Sequence, residues 1–140
     1  MYLTYEEYTD EYGGTLDETT FNDLEFEAES YVDWYTFNRL QNEPEIPERV
    51  KKCMNHIIKL LQAQMGLMDN SSSADAQGSI TGTIASQSND GVSISYNVLS
   101  AKDAIELAKS DVDKGIKRYL QGVTNSLGRK LLYRGIYPDE

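Results

Sequence analysis

The sequence predicts a mainly α fold: a small helical bundle of about four helices, with a polar β-hairpin and long loop inserted between the third and fourth. Three observations carry this. Apolar residues recur at three- and four-residue steps in four separate stretches. The breaks between them hold Gly-Gly, Asn-Glu-Pro and Ser-rich strings, which stop helices. One stretch, about 80–98, alternates with a period of two instead. The 140 residues fit a single domain. The hydrophobic share is 39%, below the ~45–50% usual for a globular chain. Part of the chain is therefore expected to lie outside the core or to need a partner.

Thr4-Tyr5-Glu6-Glu7 has the spacing of a capping box, in which hydroxyl and carboxylate satisfy the free N–H groups of a helix start. A short helix should follow and close at Gly13-Gly14. Tyr2, Tyr5, Tyr8 and Tyr12 form one stripe along it. Tyrosine joins an apolar ring to a polar tip and is favoured at contact surfaces, so the stripe is read either as core or as a subunit interface. A second helix is predicted over about 20–38, with Phe21, Leu24, Ala28, Tyr31, Val32 and Tyr35 on one face. Glu25, Glu29 and Asp33 line another at i, i+4, where like charges repel by roughly a few tenths of a kcal/mol. That row reads as a solvated face or one awaiting a basic partner. It is not expected to hold a metal, because hard cations draw oxygen ligands from tight loops.

Pro47 suits the first position of a third helix, with Glu48 beside it. Val50, Cys53, Met54, Ile57, Ile58, Leu61 and Met65 then keep to one face as far as about Leu67, and make this helix the main core candidate. Cys53 falls on the apolar side as a structural thiol, and His56 on the polar side with Lys52 and Lys59. Residues 69–79 read as a mobile polar loop. A hairpin over about 80–98 turns at Ser88-Asn89-Asp90-Gly91. Ser100 caps a fourth helix over about 101–121, with Ala104, Ile105, Ala108, Val112, Ile116, Tyr119 and Leu120 inward. Asp113 and Lys117 are spaced to pair on its outside. After a turn-prone spacer comes the tail 131–140. Its Leu131, Leu132, Tyr133, Arg134, Ile136 and Tyr137 carry more apolar area than a free tail should expose.

Charge divides the chain. Residues 1–48 hold 14 acids and one base, Arg39, a net of −13; residues 49–140 hold 9 acids and 12 bases, a net of +3. Opposite-sign halves suit self-assembly. Glu25, Glu29 and Asp33 are candidates on one side of such an interface, and Lys114, Lys117 and Arg118 on the other. The overall charge of −10 makes a poor general nucleic-acid binder. One Cys excludes an intrachain disulfide and one His excludes a His-pair metal site. The sequence contains no P-loop, G-x-S-x-G, H-E-x-x-H or EF-hand loop. No catalytic, metal or cofactor residue is therefore named, no cofactor is expected, and an enzyme is not expected. The first residues lack a signal-peptide pattern and no apolar run reaches membrane length, so the expectation is a cytoplasmic chain with no membrane partner.

Several strings, taken in order, resemble the head–tail connector (adaptor) proteins of long-tailed bacteriophages. Phe21…Ala28…Tyr31-Val32-Asp33…Thr36…Arg39-Leu40 looks like that family's long first core helix and its exit. Ile46-Pro47-Glu48-Arg49-Val50-Lys51 is similar to its proline-started helix, and Asn89-Asp90-Gly91 with Ser93-Ile94-Ser95-Tyr96 to its polar hairpin. Tyr119-Leu120 and Leu131-Leu132-Tyr133-Arg134-Gly135-Ile136 resemble its C-terminal signature. The Ser-rich 69–79 loop and the Gln121–Lys130 spacer depart from the pattern. The resemblance implies a non-enzymatic virion or prophage protein, assembled in the host cytoplasm. It implies a homo-oligomeric ring, a dodecamer if matched to the portal, that docks on the portal protein at the DNA-exit vertex. Residues 131–137 would be the docking element. A head-completion or tail protein would bind beyond the ring, and DNA would pass through the channel without specific binding. Two alternatives stand beside it: another phage ring component, such as a head-closure or tail-terminator protein, and a small helical nucleic-acid-binding or regulatory protein.

Overall fold

A computed structural model describes residues 1–74 and 101–138. Its helices are α1 (Tyr5–Asp10), α2 (Glu18–Thr36), α3 (Glu48–Ala74) and α4 (Ala101–Leu120), the mainly helical architecture that the periodicity predicted. The hairpin, residues 75–79 of the polar loop and the Ser100 cap lie outside the described residues. Among the described residues the only extended pairing is an antiparallel bridge between Thr124 and Lys130.

Helix α3 is the centre. It packs against α2 on one side and α4 on the other, while α1 rests on α2. Val50, Cys53, Met54, Ile57 and Ile58 are fully buried, at the spacing that places them on one face. Phe21, Leu24, Ala28 and Val32 meet them from α2, and Val112, Ile116 and Leu120 from α4. Burial pushes the Cys53 thiol up to about 12, so it stays protonated and inert. Pro47 stands just before α3, its carbonyl accepting from Val50 N–H at 2.8 Å; it caps the helix rather than opening it.

Two expectations change. Helix α3 continues to Ala74, well past Leu67, so residues 69–74 are helical rather than loop. Ser and Asn cost only about half a kcal/mol each in a helix interior; their polarity was legible, but it does not break a helix. His56 is not on a solvated face. It sits half-buried between α3 and α4 with its ring 5.3 Å from Tyr119. A Cβ at Gly115 would come within 2.8 Å of its Cδ2, so the glycine is what lets α4 approach here. Burial first, and then the nearby Arg118, hold the imidazole below its usual pKa.

The capping box forms: Thr4 Oγ1 accepts from Glu7 N–H, and the Glu7 carboxylate accepts from Thr4 N–H. Gly14 follows α1, its N–H donating to Tyr8 O at 2.9 Å. The fully buried Tyr8 ring lies so close that a Cβ at Gly14 would stand 2.0 Å from it. Asp17 caps α2 by accepting from Thr20 N–H, so that helix starts at Glu18, slightly before the expected Thr20. It ends on two non-glycine residues in the left-handed region, Phe37 (φ 56°) and Asn38 (φ 58°).

Candidate interaction surface

Most of the expected tyrosine and carboxylate interface is taken up by contacts within the chain. Tyr2 and Tyr8 are buried, and Tyr5 and Tyr12 pack against the same cluster. The Tyr8 ring lies 4.7 Å from Phe21 and the Tyr5 ring 5.4 Å from it. Glu25 is 3% exposed, and its Oε1 accepts from Tyr2 N–H at 2.8 Å. Glu29 pairs with the Met1 amine at 2.6 Å, and Asp33 accepts from the Tyr2 hydroxyl. The acidic row is therefore the seat of the extended residues before α1. Burial holds the Glu25 carboxyl above its usual range, against the opposing pull of its two backbone donors. On α4, Lys117 pairs with Asp113 at 2.7 Å as its spacing predicted, Lys114 lies 4.0 Å from Asp111, and Arg118 is exposed.

The C-terminal segment is likewise integrated into the fold. Leu131 is fully buried and cannot be a docking residue; Leu132 is half-buried against the core. The spacer that looked merely turn-prone is closed. Asn125 Oδ1 accepts from Leu127 and Arg129 N–H, and Leu131 N–H donates to Val123 O at 3.0 Å. Beyond this turn the backbone is held by Arg39, which is 8% exposed. Its Nη1 donates to the carbonyls of Lys130 (3.2 Å), Leu131 (3.1 Å) and Tyr133 (2.6 Å), and its Nη2 to that of Gly135 (2.8 Å). The guanidinium also lies 5.1 Å from the Phe37 ring and 5.0 Å from the half-buried Tyr137 ring. Five donors in a rigid fork can address several carbonyls at once, which suits arginine alone. So fixed, the segment turns Tyr133, Arg134 and Ile136 outward, Ile136 at 83% exposure.

A second exposed surface was not anticipated. Helix α2 is aromatic on both sides. Phe26 is 73% exposed and Trp34 80%, with Phe37 half exposed beyond them. Two depressions flank Trp34, of about 1100 and 500 Å³, sharing Ser30, Trp34 and Tyr35. The larger runs on to Leu132, Arg134 and Lys117; the smaller includes Glu27 and Lys109. Tyr35 bridges from α2 to α4, its hydroxyl donating to Asp113 Oδ1 at 2.5 Å. Burial and that carboxylate push the phenol up to about 12, so it donates at every physiological pH.

Of the residues expected to bind partners, the structure leaves Tyr133, Arg134, Ile136, Lys114, Lys117 and Arg118 exposed. Arg39, Phe26, Trp34 and Phe37 were missed as functional candidates. The signals present were that Arg39 is the one base among 14 acids, and that the three aromatics share a helical face. Among the described residues no group of three or more His, Cys, Asp or Glu converges on a metal position, and no helix is long and apolar enough to cross a membrane. No family model, curated protein or solved structure matches the chain.

Proposed function

We propose that this chain is a non-enzymatic assembly subunit of a phage or prophage virion, of the head–tail connector kind. In this reading it joins a ring on the portal and links head to tail, with DNA passing through the channel. The observation that carries it is the C-terminal segment: Arg39 holds its backbone in one shape, so Tyr133, Arg134 and Ile136 are presented without the ordering cost a loose tail would incur on binding. Tyr and Arg are also the residue types enriched among interface hot spots. The ordered resemblance strings and the −13 against +3 charge division support the same reading.

The test is binding of the full chain to capsids carrying the portal encoded in the same genome. Ile136→Asp touches no core residue and should leave the melting temperature unchanged while reducing capsid binding at least about tenfold, the cost of losing one hot spot. Unchanged capsid binding by Ile136→Asp would remove the docking element. Salt-dependent binding of the isolated chain to DNA, with none to the capsid, would favour the nucleic-acid alternative.

A further inference from the structure

We infer that the outer seam between α3 and α4 binds the phosphate backbone of duplex DNA. Residues 49–68 hold four Lys or Arg and no acid, and residues 114–134 hold six and no acid. The fold lays these two runs side by side, on α3 and α4. Arg49, Lys52, His56 and Lys59 succeed one another at steps of three, four and three, so they line one face of α3. The buried Val50, Cys53, Met54 and Ile57 occupy another. Lys114 and Arg118 stand one turn apart on α4. Lys51 and Lys117 point elsewhere, to Glu7 and Asp113.

The two cationic faces adjoin at His56. A Cβ at Gly115 would stand 2.8 Å from its Cδ2 and 3.0 Å from its Nε2, and packed helices run about 8–10 Å apart. His56 is half-buried, while Arg49, Lys52, Lys59, Lys114 and Arg118 are exposed around it. Arg118 and Lys59 both disfavour its charged form, and Asp111 favours it. Two carboxylates share the seam: Glu48, 3.6 Å from Lys52, and Asp111, 4.0 Å from Lys114. Arg49, Lys59 and Arg118 make no ion pair among the described residues. The seam therefore keeps a cationic surplus, although the whole chain carries −10.

The make-up of the seam selects the ligand. None of the exposed large hydrophobic residues falls between Arg49 and Lys59 or between Asp111 and Arg118. A protein partner would need apolar or aromatic anchors there, whereas a phosphate backbone is bound by cations alone. Single strands are held by bases stacked on exposed rings. The aromatic residue here, Tyr119, packs on His56 instead, with ring centroids 5.3 Å apart. A duplex, which presents phosphates and keeps its bases stacked inside, fits best. From Arg49 to Lys59 the stripe runs about 15 Å at 1.5 Å per residue, the axial length of about four phosphates of one strand. Such contacts carry no base sequence information. The site goes beyond the connector reading and does not rest on it.

The experiment titrates the full chain into a fluorescein-labelled DNA duplex of mixed sequence and follows anisotropy at several salt concentrations. Between about 20 and 80 mM salt the affinity should fall about 60-fold, a log–log slope of about −3, as for about three or four neutralised phosphates. Arg118→Gln and Lys59→Gln should each weaken binding and make the slope shallower by about 1. Lys109→Gln removes the same charge from α4 beside Glu27, away from the seam, and should leave the slope unchanged. All three positions are exposed, and circular dichroism checks that helix content is kept. His56 is the sole histidine, so its ring-proton resonance reports the seam alone. A phosphate beside it favours the imidazolium, so added duplex should move its titration to higher pH. A free duplex at low salt, equal losses in Lys109→Gln and Arg118→Gln, or an unmoved His56 titration overturns the inference. Self-association that Arg118→Gln abolishes, with the duplex left free, overturns it in favour of an acidic protein partner. Capsid binding reads Ile136 on a different segment, so either test can fail without the other.

Discussion

Replacing Arg39 with Met keeps much of the side-chain volume and removes the donations to the carbonyls of Lys130, Leu131, Tyr133 and Gly135. Hydrogen bonds from a charged donor contribute about 1.5–3 kcal/mol each when the group stays paired. Nη1 divides its donation among three acceptors, so full weight belongs only to the bonds at 2.6 and 2.8 Å, to Tyr133 and Gly135. Those two carbonyls are only partly buried, and water recovers part of the loss in the variant. The net cost is then about 3 kcal/mol, within the range for breaking a buried polar network. With a urea slope near 2 kcal/mol/M, the midpoint should fall by about 1.5 M. Arg39→Lys keeps the charge but offers one point donor in place of a fork, and should recover less than half of the loss. Amide exchange localises the effect: Lys130 N–H, which donates to Tyr137 Oη, and Leu131 N–H, which donates to Val123 O, should lose protection first. A midpoint within about 0.25 M of wild type, or loss of protection beginning in α3, would refute the latch.

Ile57→Asp places a charge at a fully buried position of α3 and should unfold the chain, at a cost of several kcal/mol; a helical, soluble variant by circular dichroism would contradict the assigned core. Gly14→Ala forces a methyl to within 2.0 Å of the buried Tyr8 ring and should lower stability by about 1–3 kcal/mol in urea titration. His56 has a folded pKa held below its unfolded value, so the unfolded chain binds the extra proton as pH falls. Its stabilising effect is complete above about 6.5 and is lost as pH drops through the folded value. His56→Gln should therefore flatten melting temperature against pH from about 6.5 downward, while the later acid loss from Glu7 and Asp113, both lowered by their lysine partners, remains.

The four helices were legible because each buries its stripe at strict three- and four-residue steps, most clearly Val50 to Leu61. The capping box at Thr4 and the Asp113–Lys117 pair were legible because both partners lie within one helical turn. The surface was not, and the reason lies in the partners. Glu25 is buried because it accepts from the backbone of Tyr2 and Leu3, and Arg39 because it donates to backbone carbonyls some 90 residues away. Every residue carries those backbone groups, so no residue type announces them. Leu131 looked like part of a docking tail because the Asn125 turn that returns it to the core depends on similar backbone bonds.

Phe37 ties the exposed surfaces together. A bulky side chain in the left-handed region costs about 1–2 kcal/mol, and it persists only where its surroundings require it. Here the requirement is visible. The reversed backbone at Phe37 and Asn38 lets Asn38 N–H reach Asp33 O and turns the chain so that Arg39 enters among the C-terminal carbonyls. The same reversal leaves the Phe37 ring at the end of the Phe26–Trp34 stripe and within 5.1 Å of the guanidinium. One arginine therefore fixes both the end of the α2 face and the posture of Tyr133, Arg134 and Ile136. A variant that loosens Arg39 without unfolding the bundle should therefore reduce capsid binding as Ile136→Asp does, although Arg39 is buried and Ile136 exposed. Capsid binding that survives the loss of Arg39 with helix content kept would show that the latch does not set the posture of Tyr133, Arg134 and Ile136.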